Sequence, residues 1–226
     1  MSLPPMARQG GRSCLTLARE VTYNPTFRVL QFSPVAEIAA LRGTELVNAG
    51  APAAADRTFY GGDGAWPHSG RMIEVIATFA KTDEPVSASS ATGGGGDSFG
   101  VCLGVPSGDN SSCPVRIEMR EQAASELSTS SLASSSSSLS MIVINGSGMP
   151  MRESALANMG VRTGEMVAVR AFVDQNFAEV YVNQGRVTMT GWSLPSGDLG
   201  FATFSGGGYK QKSVVAHAMN QAWLPP

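Results

Sequence analysis

Residues 166–190 read MVAVRAFVDQNFAEVYVNQGRVTMT, and this stretch decides the fold. Val167–Val173 alternates and is rich in β-branched side chains. Asp174-Gln175-Asn176 turns the chain, Ala178–Val182 runs back, and Asn183-Gln184-Gly185 turns it again into Arg186–Thr190. Polar turn residues between short alternating runs mark an antiparallel meander, and Gly185 can take the positive φ of a tight loop. A two-residue loop at Gln175-Asn176 sets Phe172 opposite Glu179 and Ala171 opposite Val180. In that register Val169, Ala171, Val173, Ala178, Val180 and Val182 share a wholly apolar face. Arg170, Phe172, Glu179 and Tyr181 share the other, which is mixed. A sheet with one buried face reads this way. Arg170 is then a diagonal neighbour of Glu179, and the two are expected to form an ion pair.

Outward from the meander the chain continues as short strands. Gly200–Ser205 and Ser213–Met219 read as the last two, and Trp223 lies close to the end of the chain. Upstream, Arg71–Lys81 is a strand whose central Glu74 implies one wet face. Phe99–Val105, Val115–Arg120 and Met141–Asn145 are further strands, and Met151–Met159 reads as a short turn or helix. Residues 84–98, rich in Ser, Ala and Gly, read as a mobile loop. Residues 122–140 are of low complexity and read as a disordered insertion at a loop tip. Ala49–Gly70 reads as loop. Ser33–Leu46 carries a helix signal: Ser33 as cap, Pro34 at the first position, Val35, Ile38 and Leu41 three apart, and Gly43 as terminator. Asn24-Pro25 marks a turn, and residues 1–22 read as a flexible leader. Many short strands, one helix signal and Gly-rich turns imply an all-β domain over 23–226. The expected form is a two-sheet antiparallel β-sandwich with one short N-terminal helix.

The 226 residues suffice for one sizeable core, and the formal charge of −2 leaves no basic surface for nucleic acid or acidic membranes. No apolar run reaches the roughly 20 residues that span a bilayer, and the first residues lack the apolar core of a signal peptide. Cys102 and Cys113 flank a hairpin loop and can pair, or each can remain a buried thiol. No Cys or His spacing resembles a zinc site, and neither metal nor cofactor is expected.

The segment FVDQNFAEVYVNQGRVTMT resembles the signature of the C-terminal β-sandwich module of glycoside hydrolase family 32, the β-fructofuranosidases. Asp174, Glu179, Val180, Asn183, Gly185 and Thr190 carry the match. Asn176 stands where Ser is usual, and Tyr181 where Phe is usual. LQFSPVAEIAALR, through Pro34, Glu37, Leu41 and Arg42, is similar to the segment by which that family passes into its sandwich, and the strands around Glu74 and Phe99 follow in the family's order. The resemblance implies a lectin-like, jelly-roll sandwich. It also implies that Asp174, Glu179, Asn183 and Gly185 are structural motif residues.

In that family catalysis belongs to an N-terminal five-bladed propeller, with motifs Asn-Asp-Pro, Arg-Asp-Pro and Glu-Cys. None of the three occurs in these residues. Retaining glycosidases need two carboxyl groups about 5–5.5 Å apart. Asp174 and Glu179 share a sheet face, but a turn cap and an ion pair account for them. Trp66, with Asp63 and His68 nearby, can stack on a sugar ring, or it can simply fold back over a sheet edge. His217 sits in a strand pattern and reads as structural. The expected function is a non-catalytic module supporting the propeller of a sucrose- or fructan-hydrolysing glycosidase, and the alternative is a stand-alone carbohydrate-binding module. An intact hydrolase with an unfamiliar site ranks last. The expected partners are a propeller domain or a second copy, through the mixed face of Arg170, Phe172, Glu179 and Tyr181, and an oligosaccharide. The chain shows no cellular address, although the family is commonly secreted or vacuolar.

Overall fold

The computed structural model describes residues 17–50, 57–60, 72–82, 98–106, 113–122, 138–145, 150–154, 166–174, 177–192, 199–206 and 208–220. The strands are β1 (Arg19–Asn24), β2 (Val29–Pro34), β3 (Arg42–Gly50), β4 (Arg57–Tyr60), β5 (Met72–Lys81), β6 (Ser98–Pro106) and β7 (Val115–Gln122). They continue with β8 (Ser138–Asn145), β9 (Pro150–Ser154), β10 (Met166–Asp174), β11 (Phe177–Val182), β12 (Val187–Trp192), β13 (Leu199–Phe204) and β14 (Tyr209–Met219). One six-stranded sheet has the order β12-β11-β10-β5-β14-β3 and the other β4-β13-β6-β7-β8-β9, while β1 and β2 form a separate two-stranded ribbon. Every pairing is antiparallel.

The meander adopts the register its sequence implies: Phe172 pairs with Glu179 and Ala171 with Val180. Its apolar face, Val169, Ala171, Val173, Ala178, Val180 and Val182, lies in the core with Ile73, Val75, Ala77 and Phe79 of β5 and Val214 and Ala216 of β14. The second sheet meets them with Phe99, Val101, Leu103, Ile117, Met119 and Phe201. Phe99 of β6 joins the sheets: it stacks on Tyr209 at 4.1 Å and tilts against Phe79 at 5.1 Å. A hydrogen bond from the Thr203 hydroxyl to Gln211 also crosses between the sheets. The molecule is thus a two-layer antiparallel sandwich with alternating strand faces, as period-two side-chain placement demands.

Several local expectations fail, each for a physical reason. The helix expected over Ser33–Leu46 is a 3-10 helix confined to Ala36–Leu41, with no side-chain cap. The three-residue spacing of Val35, Ile38 and Leu41 suits a period of 3.0 as well as one of 3.6. The Ser33 hydroxyl does not cap; it donates to the Gln184 carbonyl at 2.6 Å. Gly43 lies within β3, because the chain must re-enter the sheet at Arg42. β1 begins at Arg19, inside the stretch read as leader, and Asn24 closes its hairpin by accepting the Thr26 and Phe27 N–H groups. β4 falls within the expected loop Ala49–Gly70. Strand β9 takes up the first part of Met151–Met159 and starts on Pro150, which the sheet edge tolerates. β7 and β8 extend to Gln122 and back to Ser138, trimming the Ser-rich insertion at both ends, and residues 84–97 lie outside the described residues.

Candidate functional site

The outward face of the β12-to-β3 sheet carries a row of chemically distinctive side chains. Register places Thr190, Glu179, Phe172, Glu74, His217 and Glu45 side by side across five strand pairings. Two of these acids are fully buried: Glu74 is 0 % and Glu179 1 % exposed. A buried carboxylate persists only when paired and hydrogen-bonded. The partners come from the N-terminal segment and from β10 and β11.

Glu74 is held from two sides. Arg42, at the start of β3, binds it through Nε at 2.5 Å and Nη2 at 3.0 Å, a two-pronged contact. Arg170 of β10 donates to Oε1 at 2.6 Å. Arg170 therefore pairs with Glu74 rather than with Glu179, which corrects the diagonal pairing expected above. Its guanidinium also lies over the Phe172 ring at 4.7 Å. Burial alone would push the Glu74 carboxyl up, but the Arg42 hydrogen bond and the Arg170 charge together hold it below its ordinary value of 4.5. The wet face expected around Glu74 is dry because these two arginines make burial affordable.

Glu179 is held by the start of the described chain. The Leu17 N–H donates to Oε1 at 3.2 Å, Arg19 Nη2 stands 3.5 Å from Oε2, and the Tyr181 hydroxyl donates to Oε2 at 2.5 Å. Burial first, then the bond to Glu179 and its charge, raise the Tyr181 phenol far above its ordinary range, so it remains the donor. Arg19 also donates to the Tyr181 hydroxyl at 3.2 Å. Around these ions Phe172, Tyr181 and Met219 form an apolar patch covered by Leu17, Ile38, Leu41 and Met72. The mixed face expected to meet a partner is thus covered by the chain's own N-terminal segment.

That segment is pinned a third time on the turn after β11. Phe32 N–H donates to the Gly185 carbonyl at 2.9 Å, the Gln31 amide to the Asn183 carbonyl at 3.3 Å, and Arg186 stacks on Phe27 at 3.6 Å. Asn183 fixes the turn by accepting the Ala168 N–H at 2.7 Å and returning its own N–H to the Ala168 carbonyl. Gly185, at φ +77°, lies against Phe32 so closely that a Cβ there would sit 2.2 Å from the Phe32 carbonyl oxygen.

Of the residues singled out in sequence, Glu179, Asn183 and Gly185 converge on this latch, while Asp174 is exposed at the end of β10. Asp63, Trp66 and His68 lie outside the described residues. His217 sits in the row, its ring nitrogens 3.8 Å from Glu74 and 3.9 Å from Glu45. The second sheet repeats the device: Glu118, 1 % exposed, is paired with Arg116 at 2.6 Å and with Arg120. What sequence reading missed is which arginine serves which acid, above all the role of Arg19 in the supposed leader. A usable signal existed, since each buried acid is a glutamate set between two apolar residues of a strand: Ile-Glu-Val, Ile-Glu-Met and Ala-Glu-Val.

Chemically the row is an anionic socket for cations, not a proton-transfer pair. Glu74 and Glu179 lie two strands apart, roughly 10 Å at ordinary strand spacing, against about 5–5.5 Å for a retaining pair. Among the described residues no three His, Cys, Asp or Glu side chains converge as a metal would require, and no helix is long and apolar enough to cross a membrane. Because the folded Glu74 carboxyl titrates below its unfolded value, its stabilisation is full above about pH 4.5 and is lost as pH falls through the lower folded value. Glu74→Gln is therefore expected to flatten the acid limb of a plot of melting temperature against pH below the ordinary value of 4.5, measured by circular dichroism. An unchanged acid limb would contradict the pairing.

A two-sheet antiparallel sandwich with its N-terminal segment latched across one outer face is a β-sandwich module in class. The chain matches the family model "Glycosyl hydrolases family 32 C terminal" over residues 69–220 and belongs to that family. Among solved structures it is similar to fructan 1-exohydrolase IIa from Cichorium intybus, with TM-score 0.58 and 18 % identity, covering 90 % of this chain and 40 % of that one. It is similar also to sucrose-6-phosphate hydrolase from Lactobacillus gasseri, with TM-score 0.57 and 13 % identity, covering 96 % of this chain and 36 % of that one. A family 32 glycoside hydrolase from Bifidobacterium adolescentis gives 0.52 and 17 %, covering 92 % of this chain and 26 % of that one. At such identities the likeness is one of fold, and the chain spans less than half the length of these proteins. No curated protein sequence matches it.

Proposed function

We propose that this chain is the non-catalytic sandwich module of a glycosidase that releases fructose from sucrose or fructans, and that it docks a catalytic propeller through its N-terminal ribbon. The observation that carries this reading is the latch: arginines at both ends of the segment Arg19–Arg42 are inserted into buried carboxylates of the sheet. A ribbon anchored this firmly holds a fixed orientation. Its far side is apolar and open, with Val21 55 %, Tyr23 61 % and Leu30 53 % exposed, and register sets Tyr23 beside Leu30. A two-stranded ribbon is marginal alone, and an open apolar strip on it favours a partner surface. The substrate class comes from the family match and from the activities of the similar enzymes, a fructan exohydrolase and a sucrose-6-phosphate hydrolase.

The purified chain is expected to leave sucrose, raffinose and inulin intact in a reducing-sugar assay, and turnover above a buffer blank would overturn the reading. When the catalytic domain is supplied separately, Tyr23→Glu with Leu30→Glu is expected to abolish its co-purification with this module while leaving the module's circular dichroism unchanged. Heat on titration with millimolar sugar in the absence of a catalytic domain would favour the carbohydrate-binding alternative instead.

A further inference from the structure

On the far side of the molecule, away from the latch, Cys102 of β6 is bonded to Cys113 just ahead of β7, with the two Cα atoms 5.3 Å apart and a sequence separation of 11. The bond closes the connection between two paired strands, and its Cα spacing is an ordinary one. Cys102 is 2 % exposed and packs with Val105, Ala202 and Phe204, with Cys113 partly buried against them. Next to this cluster Arg116 lies 4.4 Å over the Phe204 ring while pairing with buried Glu118. The sulfurs are therefore one member of a packed outer layer on the second sheet, not a surface pair open to exchange. Disulfides of this kind form and persist in oxidising compartments, whereas cytosolic thiols are kept reduced.

We propose that this chain matures in an oxidising compartment, where Cys102 and Cys113 are joined as a structural bond that fixes the outer layer around Phe204. The step balances by thiol–disulfide exchange. The two cysteines give up two protons and two electrons, one S–S bond forms, and a donor disulfide of the protein or small-molecule thiol class is reduced to two thiols.

The test is differential alkylation of the protein taken from its own organism after acid quenching, with one reagent before reduction and a second after it, read by peptide mass spectrometry. Cys102 and Cys113 are expected to carry only the second label, and finding the first label on both would overturn the proposal. A second measurement concerns the structural role. Oxidised wild type is expected to melt roughly 5–10 °C above both reduced wild type and the Cys102→Ala/Cys113→Ala variant. Equal melting temperatures for all three would overturn the structural claim. Neither readout depends on the ribbon, a sugar or a propeller, so the outcome is separate from that of the docking reading.

Discussion

Glu74→Ala is expected to cost about 3 kcal/mol of folding stability, a fall in melting temperature of roughly 6–12 °C for a chain of this size. Truncation leaves the Arg42 and Arg170 guanidinium groups facing one another across an empty socket. Breaking a buried ion pair from one side costs about 3–5 kcal/mol, mainly through the charge left behind. The lower end applies because the arginines are 32 % and 26 % exposed and can recover some hydration. Arg42→Ala should cost less, about 1–2 kcal/mol, since Arg170 still neutralises the carboxylate. The order of the two losses is the discriminating result. Urea denaturation showing Arg42→Ala as the more damaging change would mean that Glu74 is not the hub of the cluster.

Gly185→Ala is expected to release the N-terminal ribbon. Two costs combine there. An L-residue at φ +77° pays about 1–2 kcal/mol for the left-handed conformation. The new Cβ would also lie 2.2 Å from the Phe32 oxygen, 2.4 Å from its carbonyl carbon and 2.9 Å from the Ser33 nitrogen. All three are backbone atoms and cannot swing aside, so the ribbon must retreat. It then loses the Phe32-to-Gly185 and Ser33-to-Gln184 hydrogen bonds. The total is about 3 kcal/mol. Limited proteolysis should cut the variant between β1 and β2 well before the sandwich opens, whereas Ser33→Ala, which loses one hydrogen bond, should digest nearly as wild type. A variant as resistant as wild type would show that the ribbon is not held by this turn.

The two experiments probe one architecture from its two ends, and together they explain why the family-like residues recur where they do in this chain. Glu179 anchors Arg19 and Leu17, Asn183 shapes the turn, and Gly185 admits the Phe32 backbone. The meander was legible because its six inward residues alternate with polar or aromatic ones and its turns are marked by Asp, Asn and Gly. Strand β1 was not legible, because Val21 and Tyr23 face outward and give no burial pattern. β4 and β9 are edge strands of four and five residues, too short for a period to emerge. The Ser33–Leu46 helix was overestimated because local capping chemistry was weighed without the competing demand of Gln184 for the Ser33 hydroxyl.

By itself the sequence determined the class of fold and the faces of the central strands, since side-chain alternation along a strand is a local property of the backbone. The tertiary structure alone decided which arginine serves Glu74 and which serves Glu179, and what covers the mixed face. It also decided that Cys102 and Cys113 meet. The ion pairs of Glu74 and Glu179 join residues as far apart as Arg19 and Glu179, and each is selected by the free energy of burying a charge only where an opposite charge is already waiting. No local pattern in the chain encodes that condition.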